Sequence, residues 1–238
     1  MTRNLEPIAH IHTDFPDKFG IPRQAGLIDA LKAKIIFEPK YRDASALRGL
    51  EGYSHIWLIW EFSESVMEDW SPTVKPPRLG GNRRMGVFAT RSPFRPNPLG
   101  LSCVKLEEIR LRGPEGPALI VAGADLMDGT PIFDIKPYLP HADCHPDATG
   151  GFSDDVKGYA LSVNFPEKLL NKLPEDKREA ICRVLAQDPR PGYRHGDSER
   201  RYGVSFAGFD VRFTVDEEVL TVREVVPLKP HENGSVLI

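Results

Sequence analysis

Residues 86–101 read GVFATRSPFRPNPLGL, gathering Arg91, Ser92, Phe94, Arg95 and Asn97 among Pro93, Pro96 and Pro98. Each proline fixes its own φ near about −65° and drives the preceding residue out of the helical region. An apolar, strand-like segment over residues 85–89 therefore runs into a stiff, non-helical loop. That loop presents two guanidiniums, a hydroxyl, an amide and a ring, the groups with which a protein grips a polar ligand. The same residues also suit a proline-rich surface crossover whose arginines serve only solvation.

Other residues offer chemistry more ambiguously. Pro22, Arg23, Gln24 and Gly26 place a guanidinium and an amide beside a glycine whose backbone a ligand can approach closely. Asp125 and Asp128 flank an Asp128-Gly129 bend, where acids either cap the turn or face a site. His55 enters an aromatic run, a setting typical of a hydrogen-bonded core histidine as well as of a catalytic one. His141, Cys144 and His145 fall outside the structural-zinc spacings and lack a fourth ligand, so no metal site is expected.

The elements that must position these groups read mostly as strands. Residues 8–12, 33–37, 55–62, 102–111, 118–122 and 132–135 carry β-branched and aromatic content between turn residues, and 55–62 (HIWLIWEF) is the most apolar run, expected to be a buried central strand. A short helix is expected over 42–50. Strand after strand with short turns argues for a closed or sandwiched antiparallel sheet. Residues 143–158, rich in glycine and acids, read as a linker. The expected division is 1–148 and 149–238, the latter a small α+β unit with a strand over 159–165, a helix over 174–187 with Pro174 at its first position, and strands over 203–206, 211–215 and 219–226. Within that unit Arg190, Tyr193, Arg194 and Arg200 set cations beside aromatic rings, which suits RNA backbone and base stacking, although the tyrosines equally suit packing.

Composition narrows the function. Net charge is −3, yet no acid lies between Asp69 and Glu107, where Lys75, Arg78, Arg83, Arg84, Arg91, Arg95 and Lys105 cluster. A basic window on an otherwise acidic chain fits a phosphate-bearing but sterically selected partner, with no DNA partner expected. Three widely spaced cysteines match neither a disulfide framework nor a CxxC motif. The first residues carry no apolar signal segment and no run is long enough to cross a bilayer, so the expected setting is the cytoplasm without a membrane partner. Walker, GxGxxG, GxSxG and HExxH motifs are all missing from the sequence.

Arg78-Leu79-Gly80-Gly81-Asn82, residues 85–92, Phe94-Arg95-Pro96-Asn97-Pro98, Asp125, residues 128–131 and 134–140, Pro22-Arg23-Gln24, residues 186–191 and Tyr193 together resemble the TsaA/TrmO family. The resemblance implies a tRNA methyltransferase that uses S-adenosylmethionine as cofactor and acts on N6 of threonylcarbamoyladenosine at position 37, in the anticodon loop. It further implies a closed antiparallel β-barrel in place of a Rossmann sheet, and a homodimer with the cofactor site near the subunit interface. Cofactor contacts would fall on Gln24, Gly26, Leu27, Ser63, Glu64, Arg91, Leu101, Ala124, Asp125, Leu126 and Met127, although Ser63 and Glu64 depart from the family's histidine and glutamine. Arg91 would clamp the methionyl carboxylate, Asp125 or Asp128 would act if a base is needed, and Arg83, Arg84, Phe94, Arg95 and Asn97 would receive RNA. A non-catalytic RNA-binding module and a methyltransferase with another acceptor are the competing readings.

Overall fold

The computed structural model describes residues 4–65, 69–76, 83–156, 158–190 and 198–229. Strands β1 (Ala9–His12), β2 (Lys32–Phe37), β3 (His55–Glu61), β4 (Thr73–Val74), β5 (Met85–Gly86), β6 (Leu99–Arg110), β7 (Ala118–Ala122) and β8 (Thr130–Pro137) precede a one-turn helix, α1 (Pro140–Asp143). Strand β9 (Ser162–Asn164), helices α2 (Glu167–Leu170) and α3 (Glu175–Ala186), and strands β10 (Tyr202–Phe206), β11 (Phe209–Asp216) and β12 (Val219–Pro227) complete the chain. Among the described residues no helix is long and apolar enough to cross a membrane.

Six strands close into the expected antiparallel barrel, in the order β1-β2-β7-β6-β3-β8. Its interior follows from the period-two alternation of strand side chains. In β3, Ile56, Leu58 and Trp60 point inward and are buried, while His55, Trp57, Ile59 and Glu61 stay partly exposed. The run expected to be buried as a whole is thus buried on one face only. Ile11, Ile35, Val104, Leu119, Val121, Leu126 and Ile132 complete the inner layer.

Three local expectations change. Residues 42–50 form no α-helix: the Asp43 carboxylate accepts the Ser45 N–H at 2.9 Å and Gly49 sits at φ 90°, so the segment breaks into short 3₁₀ turns that bury Leu47 alone. Residues 85–89 give a two-residue strand and then a 3₁₀ turn, because β5 finds only the equally short β4 as a partner. Pro174 serves as the N-cap of α3 instead of its first helical residue.

The second unit is a four-stranded sheet, β10-β11-β12-β9, with β9 parallel to β12, and it is covered by α3 through Ala180, Ile181, Val184 and Leu185. Its core also contains Phe15, Ile28 and Leu31. The connection between β1 and β2 therefore leaves the barrel, enters the core of the second unit and returns. Two backbone bonds stitch it back to the barrel, Gly26 N–H to the Gly123 carbonyl at 2.8 Å and Gly123 N–H to the Leu31 carbonyl at 2.9 Å.

At the barrel rim Gly100 of β6 pairs with Trp60 of β3, and the indole lies where a Cβ on Gly100 would stand. A register shift between Ile59 and Trp60 marks the same place. Forcing atoms into such a contact displaces the ring or the strand. Gly100→Ala is expected to lower stability by about 1–3 kcal/mol, read as a fall in the urea midpoint with an unchanged m value.

Candidate active site

A cavity of about 460 Å³ opens where the ends of β3 and β6, the turn after β7, the excursion after β1 and the proline loop converge. Trp60 and Asp125 on its wall are linked behind it by the buried Ser102. The Trp60 indole N–H donates to Ser102 Oγ at 3.0 Å, and the Ser102 hydroxyl donates to Asp125 Oδ1 at 2.5 Å. Ser102 is 2% exposed, so this inward-facing hydroxyl has no water to fall back on and its orientation is dictated by its two partners. Burial pushes the Asp125 carboxyl above the ordinary aspartate range, opposed by the Ser102 hydrogen bond, by the backbone N–H groups of Asp125 and Ala25, and by the charge of Arg91. A carboxylate has about four acceptor positions. The Ser102 hydroxyl occupies one of them, and the carboxylate itself lines the cavity.

The proline loop is held by bonds among its own residues. Arg95 Nη1 donates to the carbonyls of Thr90 at 2.8 Å and Ser92 at 3.4 Å, Thr90 Oγ1 donates to the Val87 carbonyl at 2.8 Å, and the Phe94 N–H reaches Ser92 Oγ at 3.3 Å. The Phe62 N–H, at the end of β3, ties to the Pro98 carbonyl at 2.8 Å. Arg95, expected on an RNA-facing side, is half-buried and acts as an internal strut that also lines the cavity. Arg91 stays exposed; its guanidinium donates to Gln24 Oε1, whose own amide nitrogen donates to the Arg23 carbonyl.

Gln24, Ser63, Glu64, Arg91, Leu101, Asp125 and Met127 meet at the cavity. Gly26 and Leu27 lie outside its lining; Gly26 instead joins the excursion to the barrel, and Leu27 is 47% exposed. Ala124 and Leu126 are buried in the barrel core and do not face the cavity with their side chains. Asp128 points away: its carboxylate accepts the Thr13 N–H at 3.0 Å and sits 3.3 Å from His12 Nδ1. Of the two acids flanking the bend, only Asp125 faces the cavity.

The residues expected to meet RNA are more scattered. Arg83, Arg84, Phe94 and Asn97 are exposed, and Arg84 donates to Thr73 Oγ1 at 2.7 Å. Arg200 is exposed, with its guanidinium 5.4 Å from the Tyr202 ring. Arg190 is 6% exposed and forms a bidentate pair with Asp188, so it is no surface cation. Tyr193 and Arg194, like the residues 78–82 of the family signature, lie outside the described residues.

The sequence reading missed Lys18, Trp60 and Thr130 on the cavity wall and Ser102 buried behind it. One signal for Ser102 was available: it is a hydroxyl at an inward position of β6, flanked on that face by Gly100 and Val104. It also missed an exposed aromatic pair, Trp70 and Phe88, whose ring centroids lie 6.1 Å apart. Phe88 stands two residues before Thr90 of the cavity wall.

Residues 10–144 match the family described as tRNA-methyltransferase O N-terminal domain, and residues 159–228 match the TrmO C-terminal domain. A tRNA (adenine(37)-N6)-methyltransferase of Escherichia coli is 41% identical over 233 residues, covering 95% of this chain and 97% of its own length. A putative S-adenosylmethionine-dependent methyltransferase of Pseudomonas aeruginosa is also 41% identical, over 220 residues that cover 90% of this chain and 93% of that protein. The crystal structure of TrmO from Pseudomonas aeruginosa superposes with a TM-score of 0.75 at 34% identity, covering 95% of this chain and all of the other. Matched along both of its units and by relatives of nearly its own length, the chain belongs to the tRNA-methyltransferase O family.

Proposed function

We propose that the rim cavity binds S-adenosylmethionine and that the chain, an S-adenosylmethionine-dependent tRNA methyltransferase, methylates N6 of threonylcarbamoyladenosine at position 37 of the anticodon loop. The observation that carries this reading is the Trp60–Ser102–Asp125 line of hydrogen bonds, which fixes the Asp125 carboxylate on the wall of a cavity that Arg91 also lines. The residues fit the cofactor. A volume of about 460 Å³ falls in the range of roughly 300–1,000 Å³ usual for small-molecule sites. Trp60, Phe62, Leu101 and Met127 offer apolar wall for its uncharged parts, and Arg91 offers a fork for its carboxylate.

When bound, S-adenosylmethionine supplies an electrophilic methyl group on sulfur. Gln24 fixes the Arg91 fork and so sets where the carboxylate end rests. The acceptor nitrogen, part of a ureido group, gains the methyl and loses its proton. Asp125 is the proton acceptor, its raised affinity suited to taking a proton from an N–H more acidic than an adenine amine. Holding donor and acceptor in line can supply roughly 7–11 kcal/mol of the acceleration, so the rigid proline loop serves catalysis through geometry.

The approach of tRNA is read from the face beside the cavity. Arg83 and Arg84 suit the phosphate backbone, and Trp70 with Phe88 forms a stacking platform for loop bases. Arg200 of the second unit extends the same electrostatic footprint. The outer faces of β3 and β6 leave Leu99 and Leu101 exposed beside Trp57 and Ile59, an apolar edge of the cavity beside which a second copy of the chain would pack in a homodimer. The cytoplasm, where tRNA is modified, is the setting that goes with this reading.

Incubation with S-adenosylmethionine and tRNA, followed by nucleoside mass spectrometry, is expected to add one methyl to threonylcarbamoyladenosine and none to tRNA lacking that group; methylation of unmodified adenosine would sink the acceptor assignment. The acid limb of the kcat profile is expected above the ordinary aspartate range, because a base with a raised pKa loses its proton-accepting form at higher pH, and Asp125→Asn is expected to remove that limb. Trp70→Ala and Phe88→Ala should each weaken tRNA binding by about 1–3 kcal/mol while leaving the S-adenosylmethionine Kd unchanged, measured by filter binding and calorimetry.

A further inference from the structure

The excursion between β1 and β2 is gripped along its length by the second unit. At its start Asp14 pairs with Lys177 of α3 at 2.7 Å, and its carbonyl accepts the Ala207 N–H at 2.9 Å. Phe15 packs edge-on against Phe206 with centroids 5.3 Å apart. Gly20, at φ 93°, lies where a Cβ would strike the side chain of Val204. Just beyond Gly20 the chain carries Arg23 and Gln24 on the cavity wall.

There a continuous series of hydrogen bonds runs from the interior of the second unit to the cavity. Arg190 donates from Nε to Asp188 Oδ1 at 2.8 Å and from Nη2 to Oδ2 at 2.9 Å, and Tyr159 OH reaches the same Oδ2 at 3.2 Å. The Asp188 carbonyl accepts Arg23 Nη2 at 3.4 Å, the Arg23 carbonyl accepts the Gln24 amide, and Gln24 Oε1 accepts Arg91. Asp188 sits at φ 51°, a left-handed turn conformation that aspartate adopts more readily than most residues, and the Arg190 fork grips the carboxylate at that turn. Both side chains are 6% exposed, and neither residue lines the cavity.

We propose that Arg190 is a positioning residue for the cofactor site, fixing the Asp188 turn so that Arg23 and Gln24 present the Arg91 fork to the cofactor carboxylate. This assigns the second unit a share in cofactor binding, a role distinct from RNA contact, and it rests on the reading of the rim cavity as the cofactor site. A fork held from a packed interior is preorganised, and loosening its support by a fraction of an ångström weakens what it binds.

Arg190→Lys keeps the charge and removes the fork. In the full chain it is expected to raise the S-adenosylmethionine Kd and KM about fivefold, with kcat at saturating cofactor and KM for tRNA each within about twofold of the parent. A raised KM for tRNA with an unchanged cofactor Kd would make Arg190 an RNA contact and overturn the proposal, as would a lowered melting temperature with neither constant altered. If Arg190→Lys does not fold, Arg190→Gln, which keeps an N–H donor toward Asp188 without the bidentate fork, is expected to raise the cofactor Kd about threefold; an unchanged Kd overturns the proposal. Arg91→Ala separates the two readings. If it leaves the cofactor Kd unchanged, the cavity assignment itself fails; if it weakens binding while Arg190→Lys does not, only the positioning role fails.

Discussion

Two backbone hydrogen bonds at Gly123 carry much of the site, because they are where the excursion, the turn that bears Asp125 and the barrel are joined. Gly123 donates to Leu31 and accepts from Gly26, and at φ 76° it adopts a conformation that a side chain would strain. A Cβ there would also press on Gly26 at 3.1–3.2 Å. The close approach of two backbones thus sets the width of the cavity between Gln24 on one wall and Asp125 on the other. The barrel supplies a rigid rim, and the second unit supplies the pressure that keeps the excursion against it.

The buried acid shows a conflict between stability and function. Asp125 binds its proton more tightly in the folded chain than in the unfolded one. The folded state therefore loses stability as pH rises from the ordinary aspartate range through the raised folded value, and above that window the charged, desolvated form remains a net cost. Ser102, two backbone donors and Arg91 reduce that cost without removing it, and Trp60 fixes the serine so that its hydroxyl points one way. Well-oriented donors around a strained charge are typical of sites built for a reaction.

The barrel strands were legible from β-branched and aromatic content between turn residues, but the unbroken apolar run of β3 hid which of its faces is buried. Closure of those strands into a barrel was not legible from alternation, and came from the resemblance carried by the proline loop and its flanking motifs. Register is also silent in a single sequence, so nothing announced that Trp60 meets Gly100 or that Ser102 sits beneath Asp125. Arg190 shows the limit for charges: a cation among tyrosines and prolines reads the same whether it faces a phosphate or a buried carboxylate, and only the turn at Asp188 decides. Phe15, Ile28 and Leu31 stand among loop residues without a period, since each fills a hole in a core whose other members come much later in the chain.

That late completion has a bearing on how the chain folds as it is made. The barrel strands leave the ribosome first, and β1 and β2 can pair while the segment between them still exposes Phe15, Ile28 and Leu31 with nothing to cover them. Their partners, Phe206, Phe213 and Val222 among them, are synthesised near the end. Contacts of such wide sequence separation close slowly, and an apolar loop left open in the meantime is a site for misassociation. The order of synthesis therefore leaves that segment uncovered until the chain is nearly complete, and makes the last strands of the molecule the ones that press the pocket-lining excursion into place.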